Sequence, residues 1–314
     1  MRQNADINDP GGISEISRGL SVLATPPVPV RIKFSIPEGS QTSRIRWISN
    51  VKNSSILPVL VLFLLFCVVP QRSVADQKYG HERTVFTLSG HQGFVIRPAK
   101  PAADGTKPWA WYAPTFINGY PNQSNEWLFK QLLDAGWTIA GMEVGESFGS
   151  PAGRKIYSEF YAHVVQEYGL NPKACLVPQS RGGLMLYNWA VEHPDQVQCI
   201  AGIYTVCDLR SYPGLKNAAP AYGLTEDELT NHLKEHNPID RLEPLAKAKI
   251  PILHIHGDSD TVVPLDRNSQ VVYDRYKALG GPMELLVIKG KGHAEIPEFF
   301  QSPEMLKFLL SQKK

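Results

Sequence analysis

Residues 174–187 read Ala174-Cys175-Leu176-Val177-Pro178-Gln179-Ser180-Arg181-Gly182-Gly183-Leu184-Met185-Leu186-Tyr187. The first five form an apolar run of strand length. Residues 181–193 carry a helical pattern that stops before Pro194. Almost nothing separates the two. A turn this sharp lifts the Ser180 hydroxyl off the C-terminal end of a strand and sets it at the start of a helix. There the helix dipole and free backbone N–H groups favour a developing anion. Gly182 and Gly183 allow the helix to pack close beside the turn.

The same rhythm extends in both directions. Thr84–Leu88 and Phe94–Ile96 flank Ser89-Gly90-His91-Gln92-Gly93 and predict an antiparallel hairpin. Trp109–Ala113 is a buried strand ending at Pro114. Residues 124–135 have helical spacing, with Ser124 as cap and Gly136 as stop. Trp137–Val144 is a strand, 152–168 a helix, Ile200–Val206 a strand and Ile252–His256 another. Residues 265–279 are helical, Glu284–Ile288 is a strand, and one helix over 298–311 closes the chain. Apolar strands separated by helices imply an α/β fold with a mostly parallel central sheet and helices on both faces. Asp208 to about Lys249, after the sixth strand, breaks the rhythm and reads as an insertion over the end of the sheet. Within it Thr225-Glu226-Asp227-Glu228 is a capping box, expected to open one amphipathic helix reaching about His236.

Two later segments share the geometry of Ser180. His256-Gly257-Asp258-Ser259-Asp260-Thr261-Val262-Val263-Pro264 follows one buried strand, and Lys289-Gly290-Lys291-Gly292-His293 follows the last. Ser180, Asp260 and His293 therefore fall on loops beyond the same ends of parallel strands, where open α/β sheets place their sites. A serine between strand and helix is by itself far more often a cap than a nucleophile. The Asp and His patterns in register change that balance.

With these motifs the chain resembles the α/β-hydrolase superfamily over essentially all of residues 84–312. It looks most like secreted esterases, dienelactone-hydrolase-like proteins and catalytic domains related to prolyl oligopeptidase. The resemblance implies Ser180 as nucleophile, His293 as base and Asp260 as the carboxylate that orients His293. Asp258 and Asp208 are the alternatives for the acid. Two departures stand out: Pro178 replaces the first glycine of the usual G-x-S-x-G, and no H-G-G-G loop follows Trp109–Ala113. The oxyanion donors are expected to be the N–H groups of Arg181 and Phe116, since Pro114 has none. Arg181 either binds an acidic group of the substrate or pairs with Glu143 or Glu146 and holds the turn; Glu146 is also a candidate substrate contact. Ser180-Arg181-Gly182 is in addition locally similar to glucuronoyl esterases. His254 and His256 are expected to be packed or hydrogen-bonded rather than metal ligands, and no cofactor or metal is implied.

Of 314 residues, 43% are hydrophobic and 20% charged, which excludes a disordered or collagen-like chain. The net charge of +2 does not suggest a nucleic-acid partner. The charge is unevenly spread. Residues 1–75 carry eight basic and four acidic side chains, leaving 24 basic and 26 acidic on the other 239. Ile56–Val69 is a run of fourteen uncharged residues behind Arg44, Arg46 and Lys52, followed by Ser73 and Ala75. That combination is expected to be a signal peptide over 51–75, cleaved after Ala75. Residues 1–50 read as an irregular leader, with translation expected to begin near Val51. The domain then spans 76–314 and is secreted or periplasmic, touching a membrane only through an uncleaved signal segment. Cys175 and Cys199 lie in apolar strands, so free thiols are expected; a bridge among Cys175, Cys199 and Cys207 would leave one unpaired.

The expected function is a secreted serine hydrolase acting on a small-molecule or carbohydrate ester, such as an acyl or uronate ester, through an acyl-enzyme. A serine peptidase and a catalytically silent binding fold are the alternatives.

Overall fold

The computed structural model describes residues 73–313. The expected leader and the signal segment up to Arg72 lie outside the described residues. Val74 and Ala75 open a strand absent from the sequence reading. This β1 (Val74–Lys78) pairs antiparallel with β2 (His81–Leu88), which pairs antiparallel with β3 (His91–Ile96). Cleavage after Ala75 would leave Asp76–Lys78 of that strand. Each hairpin turns on two residues with positive φ, Tyr79-Gly80 at 55° and 77° and Ser89-Gly90 at 52° and 82°. Their twist matches that of the flanking strands, which is why so short a connection suffices.

Six further strands follow: β4 (Trp109–Ala113), β5 (Thr138–Met142), β6 (Ala174–Pro178), β7 (Val197–Ile203), β8 (Ile252–Gly257) and β9 (Met283–Ile288). The sheet order is β1-β2-β3-β5-β4-β6-β7-β8-β9. β4 to β9 run parallel, and β3 joins them antiparallel to β5. The chain steps from β4 to β5 on one side, then to β6 on the other. The sheet thus switches direction between β4 and β6, and the crevice beyond the carboxyl ends of those strands is where such sheets bind ligands. With β1 counted, the insertion follows the seventh strand.

Strand alternation sorts the core onto two faces. Trp109, Trp111 and Ala113 of β4 face one cluster, and Ala110 and Tyr112 face the other. The first cluster is closed by α2 (Pro151–Glu167) and α3 (Gly182–Ala190), through Tyr157, Phe160 and Trp189. The Trp111 ring lies 4.6 Å from Trp189, 5.0 Å from Phe160 and 5.1 Å from Tyr157, centroid to centroid. Aromatic contacts of this kind add about 0.5–1.5 kcal/mol each beyond burial, so α3 is held firmly against β4. The opposite face is covered by α1 (Glu126–Asp134) and the C-terminal segment.

Several boundaries differ from expectation. Asn122, not Ser124, caps the start of the first helical segment: its Oδ1 accepts the Ser124 N–H, while the Ser124 hydroxyl points to Glu295. The insertion holds α4 (Leu215–Tyr222), α5 (Glu226–Asn231), α6 (Leu233–His236) and α7 (Glu243–Lys247). The Thr225–Glu228 capping box forms, but its helix stops at Asn231 and α6 restarts at Leu233. Past β8, α8 (Ser269–Ala278) packs on the Trp111 face. The expected closing helix is two, α9 (Pro297–Phe300) and α10 (Pro303–Ser311), because Ser302 caps a new start at Pro303. Cys175, Cys199 and Cys207 are buried and free. Among the described residues no helix is long and apolar enough to cross a membrane.

Candidate active site

Ser180 sits at the switch point with φ +49°, a left-handed conformation that costs a non-glycine residue about 1–3 kcal/mol. Both neighbouring strands hold it there. Gln179 donates its N–H to O of Ala113, the last residue of β4 (2.8 Å), Ser180 donates to Ile203 O of β7 (3.0 Å), and Ser180 O accepts from Val206 N–H (2.8 Å). Pro178 lacks an N–H but is the last residue of β6, and the turn begins only after it. The departure from the glycine pattern therefore leaves the elbow intact.

The helix side of the elbow depends on two glycines. A Cβ on Gly182 would lie 2.0 Å from Ala113 O, and one on Gly183 2.2 Å from Val206 O. Both obstacles are backbone and cannot rotate away. Gly182→Ala is expected to destabilise the fold by about 3 kcal/mol, read as a lower urea midpoint with unchanged m. An unchanged midpoint would mean that the elbow backbone yields freely.

Three loops converge on the Ser180 hydroxyl. Its Oγ is 3.0 Å from His293 Nε2, and His293 Nδ1 is 2.8 Å from Asp260 Oδ2. Asp260 is buried, and its Oδ1 accepts the N–H groups of Val262 (2.9 Å) and Val263 (2.8 Å). Burial pushes this carboxyl up, but bonds from His256, His293 and Val263 outweigh that and hold it well below the usual carboxylate range. The arrangement can pass a proton from Ser180 Oγ to His293 Nε2 while Asp260 steadies the resulting imidazolium.

The alternative acids are engaged elsewhere. Asp258 accepts the Gly290 N–H (2.7 Å), and Asp208 pairs with Arg210 (2.9 Å) and Asn237 (3.1 Å). His254 and His256 are buried and share Ser269 Oγ, at 2.9 and 2.8 Å from their Nδ1 atoms. Burial drives His254 down to about 3, so it is neutral. Its Nε2 meets Tyr187 OH at 2.8 Å, and His256 Nε2 meets Val263 O at 2.8 Å. Among the described residues no group of three or more His, Cys, Asp or Glu could hold a metal.

The expected oxyanion donors fare differently. Arg181 caps α3, and among the described residues no protein acceptor takes its N–H. Phe116 is corrected: its N–H donates to Tyr120 O at 2.9 Å inside a tight loop and is not available. The N–H of Thr115, directly after Pro114, has no protein acceptor among the described residues. The Arg181 guanidinium lies 5.2 Å over the Phe116 ring and pairs with Glu146 at 3.0 Å. Of the two carboxylates weighed as its partner, Glu146 is the one.

Ser180 opens on a cleft of about 330 Å³, walled in part by Tyr120, Tyr204, Tyr212 and Val262. Only Tyr212 comes from the insertion, and the 143–149 loop acts at one remove, through Glu146 and a bond from Tyr222 OH to Phe148 O (2.7 Å). Three residues of the site had no signal in the sequence. Tyr204 packs its ring 4.2 Å from that of His293, Gln179 donates to Tyr204 OH at 3.3 Å, and Glu295 lines the cleft two residues past His293.

The prolyl oligopeptidase family model matches residues 161–309, which contain Ser180, Asp260 and His293. No curated protein sequence matches the chain. Among solved structures, S-formylglutathione hydrolase from Agrobacterium tumefaciens is similar at 14% identity and TM-score 0.59, over 76% of this chain and 97% of that one. Est1E from Butyrivibrio proteoclasticus is similar at 15% identity and TM-score 0.54, over 76% and 98%. Pyrococcus horikoshii acylaminoacyl peptidase is similar at 18% identity and TM-score 0.58, over 78% of this chain but 42% of that one, so this chain spans under half of that peptidase. Sheet order, elbow and family match agree: this chain is a serine hydrolase with the α/β-hydrolase fold.

Proposed function

We propose that the protein hydrolyses neutral carboxylic esters, with Ser180 as nucleophile, His293 as general acid–base and Asp260 as the orienting carboxylate. One observation carries the reading: the unbroken hydrogen-bonded line from Asp260 through His293 to Ser180, opening on a tyrosine-walled cleft. Ser180 Oγ attacks the ester carbonyl as its proton moves to His293 Nε2. The N–H groups of Arg181 and Thr115 receive the oxyanion. Collapse expels the alcohol, which takes the proton from His293, and water then releases the acid from the acyl-enzyme by the same steps.

The charges at the cleft favour a neutral ester. Arg181 is matched by Glu146, and the Glu295 carboxylate is taken up by protein donors. The Glu295 carboxylate is not left to grip the charged amino terminus of a peptide, and Glu146 offsets the charge of Arg181, whose Nε–H has no protein acceptor among the described residues. The two hydrolases matched over nearly their full length, S-formylglutathione hydrolase and Est1E, are consistent with this choice. The family match keeps a peptidase as the second reading.

The two readings separate on paired substrates. Short p-nitrophenyl esters are expected to exceed aminoacyl-nitroanilides in kcat/KM by at least about 100-fold, after allowance for their intrinsic reactivities. Comparable values, or faster anilide cleavage, would reverse the assignment.

A further inference from the structure

We propose that Glu295 is a positioning residue of the active site, a carboxylate clasp holding the loop after β4 against the loop that carries His293. The inference rests on the role given to Ser180 and His293 above.

Glu295 lies between β9 and α9, and its side chain reaches across the cleft wall. Oε1 accepts from Tyr120 OH at 2.8 Å and faces Gln179 Nε2 at 3.5 Å. Oε2 accepts from Asn122 Nδ2 at 2.8 Å and Ser124 Oγ at 2.7 Å. An ionised carboxylate offers about four acceptor sites, so these four donors fill it. A carboxylate at the mouth of a cleft would ordinarily suggest recognition of a substrate cation. This one has no site left for it.

Its donors define its work. Tyr120, Asn122 and Ser124 are alternate residues of one loop, the loop that begins at Pro114 and carries Thr115. That loop closes on itself at Phe116–Tyr120, where Phe116 N–H donates to Tyr120 O (2.9 Å) and Tyr120 N–H to Phe116 O (2.8 Å). The fourth donor, Gln179, immediately precedes Ser180. Its own Oε1 is held by Tyr112 OH (2.7 Å) and Asn125 Nδ2 (3.2 Å). One carboxylate therefore ties together the histidine loop, the oxyanion loop and the elbow. Burial pushes the Glu295 carboxyl up, and bonds from Asn122, Ser124 and Tyr120 bring it below its usual value, so it is charged at neutral pH. Bonds to a charged acceptor are the stronger kind. Glu295 is itself exposed and belongs to neither buried cluster, so its loss leaves the core intact.

Glu295→Gln in the full chain tests this. An amide cannot accept at both ends, and either way round its NH2 meets two of the donors. Hydrogen exchange in residues 115–125 is expected to rise, with the melting temperature lowered by no more than a few degrees. For p-nitrophenyl acetate, kcat is expected to fall about 10-fold or more with KM changed less than about 2-fold, because small misplacements act on the transition state. Glu295→Asp, which keeps the charge, should restore part of the lost kcat. Unchanged exchange in 115–125, unchanged kcat, or a loss wholly in KM would each overturn the clasp. A wild type that hydrolyses no ester would sink the ester reading alone. Exchange and the rate of fluorophosphonate labelling at Ser180 would then decide the role of Glu295.

Discussion

Ser180→Ala is expected to lower ester hydrolysis by about 10⁴- to 10⁶-fold in kcat, leaving the melting temperature within a few degrees of wild type. The size of the effect follows from the line of hydrogen bonds. Without Oγ, His293 has no proton to take, Asp260 has no imidazolium to steady, and the three residues lose their effect together. Stability is expected to survive because the strained backbone at residue 180 is held by main-chain bonds to Ala113, Ile203 and Val206 rather than by the side chain. A fluorophosphonate probe gives the direct reading: it should label wild type at Ser180 and leave the variant unlabelled. A wild type that resists the probe while folded would refute Ser180 as nucleophile.

Asp260→Asn is expected to cost about 10⁴-fold in kcat, and the structure dictates why an isosteric change does so much. Oδ1 of Asp260 accepts two backbone N–H groups, from Val262 and Val263. An asparagine must keep its carbonyl oxygen there, since its NH2 would point at two donors. The NH2 is thereby forced into the place of Oδ2, facing His293 Nδ1, now 2.8 Å from an acceptor. Nδ1 would have to become the acceptor and Nε2 would carry the proton, the tautomer that cannot take a proton from Ser180. The loss should appear in kcat at neutral pH with little change in KM. Activity within about tenfold of wild type would show that Asp260 does not set the tautomer.

The elbow and the order of the strands were legible because each rests on local chemistry. Apolar runs of strand length, glycines after Ser180 and helices between strands specify a mostly parallel sheet without knowledge of any distant contact. The same local rules misjudged places where a neighbour competes. Ser124 reads as a cap, but Asn122 takes that role and the Ser124 hydroxyl goes to Glu295, 171 residues away. Phe116 reads as an oxyanion donor, but the loop closes on itself and Tyr120 O takes its N–H. The strand Val74–Lys78 begins after the four residues that follow the apolar run Ile56–Val69, inside the segment read as signal peptide, and only its ladder to β2 identifies it. Arg181 could be read as a substrate contact or as a structural ion pair, and Glu146 matches its charge across the elbow.

Order along the chain and residue type thus put Ser180, Asp260 and His293 beyond the same edge of one sheet, while the choice of Asp260 over Asp258 and Asp208 needed its bond to His293. Parallel strands with short loops leave few other places for them. The spacing of 33 residues between Asp260 and His293 says nothing, however, about a 2.8 Å bond or about which oxygen makes it. Those follow from the two N–H groups that pin Oδ1. Gln179, Tyr204 and Glu295 carry no local signal at all, since an amide, a phenol and a carboxylate on loops are ordinary residues in isolation. Their roles arise only when folding brings residues 112–125, 179–180, 204 and 293–295 within hydrogen-bonding reach, because a hydrogen bond depends on angle and distance, which sequence spacing does not encode.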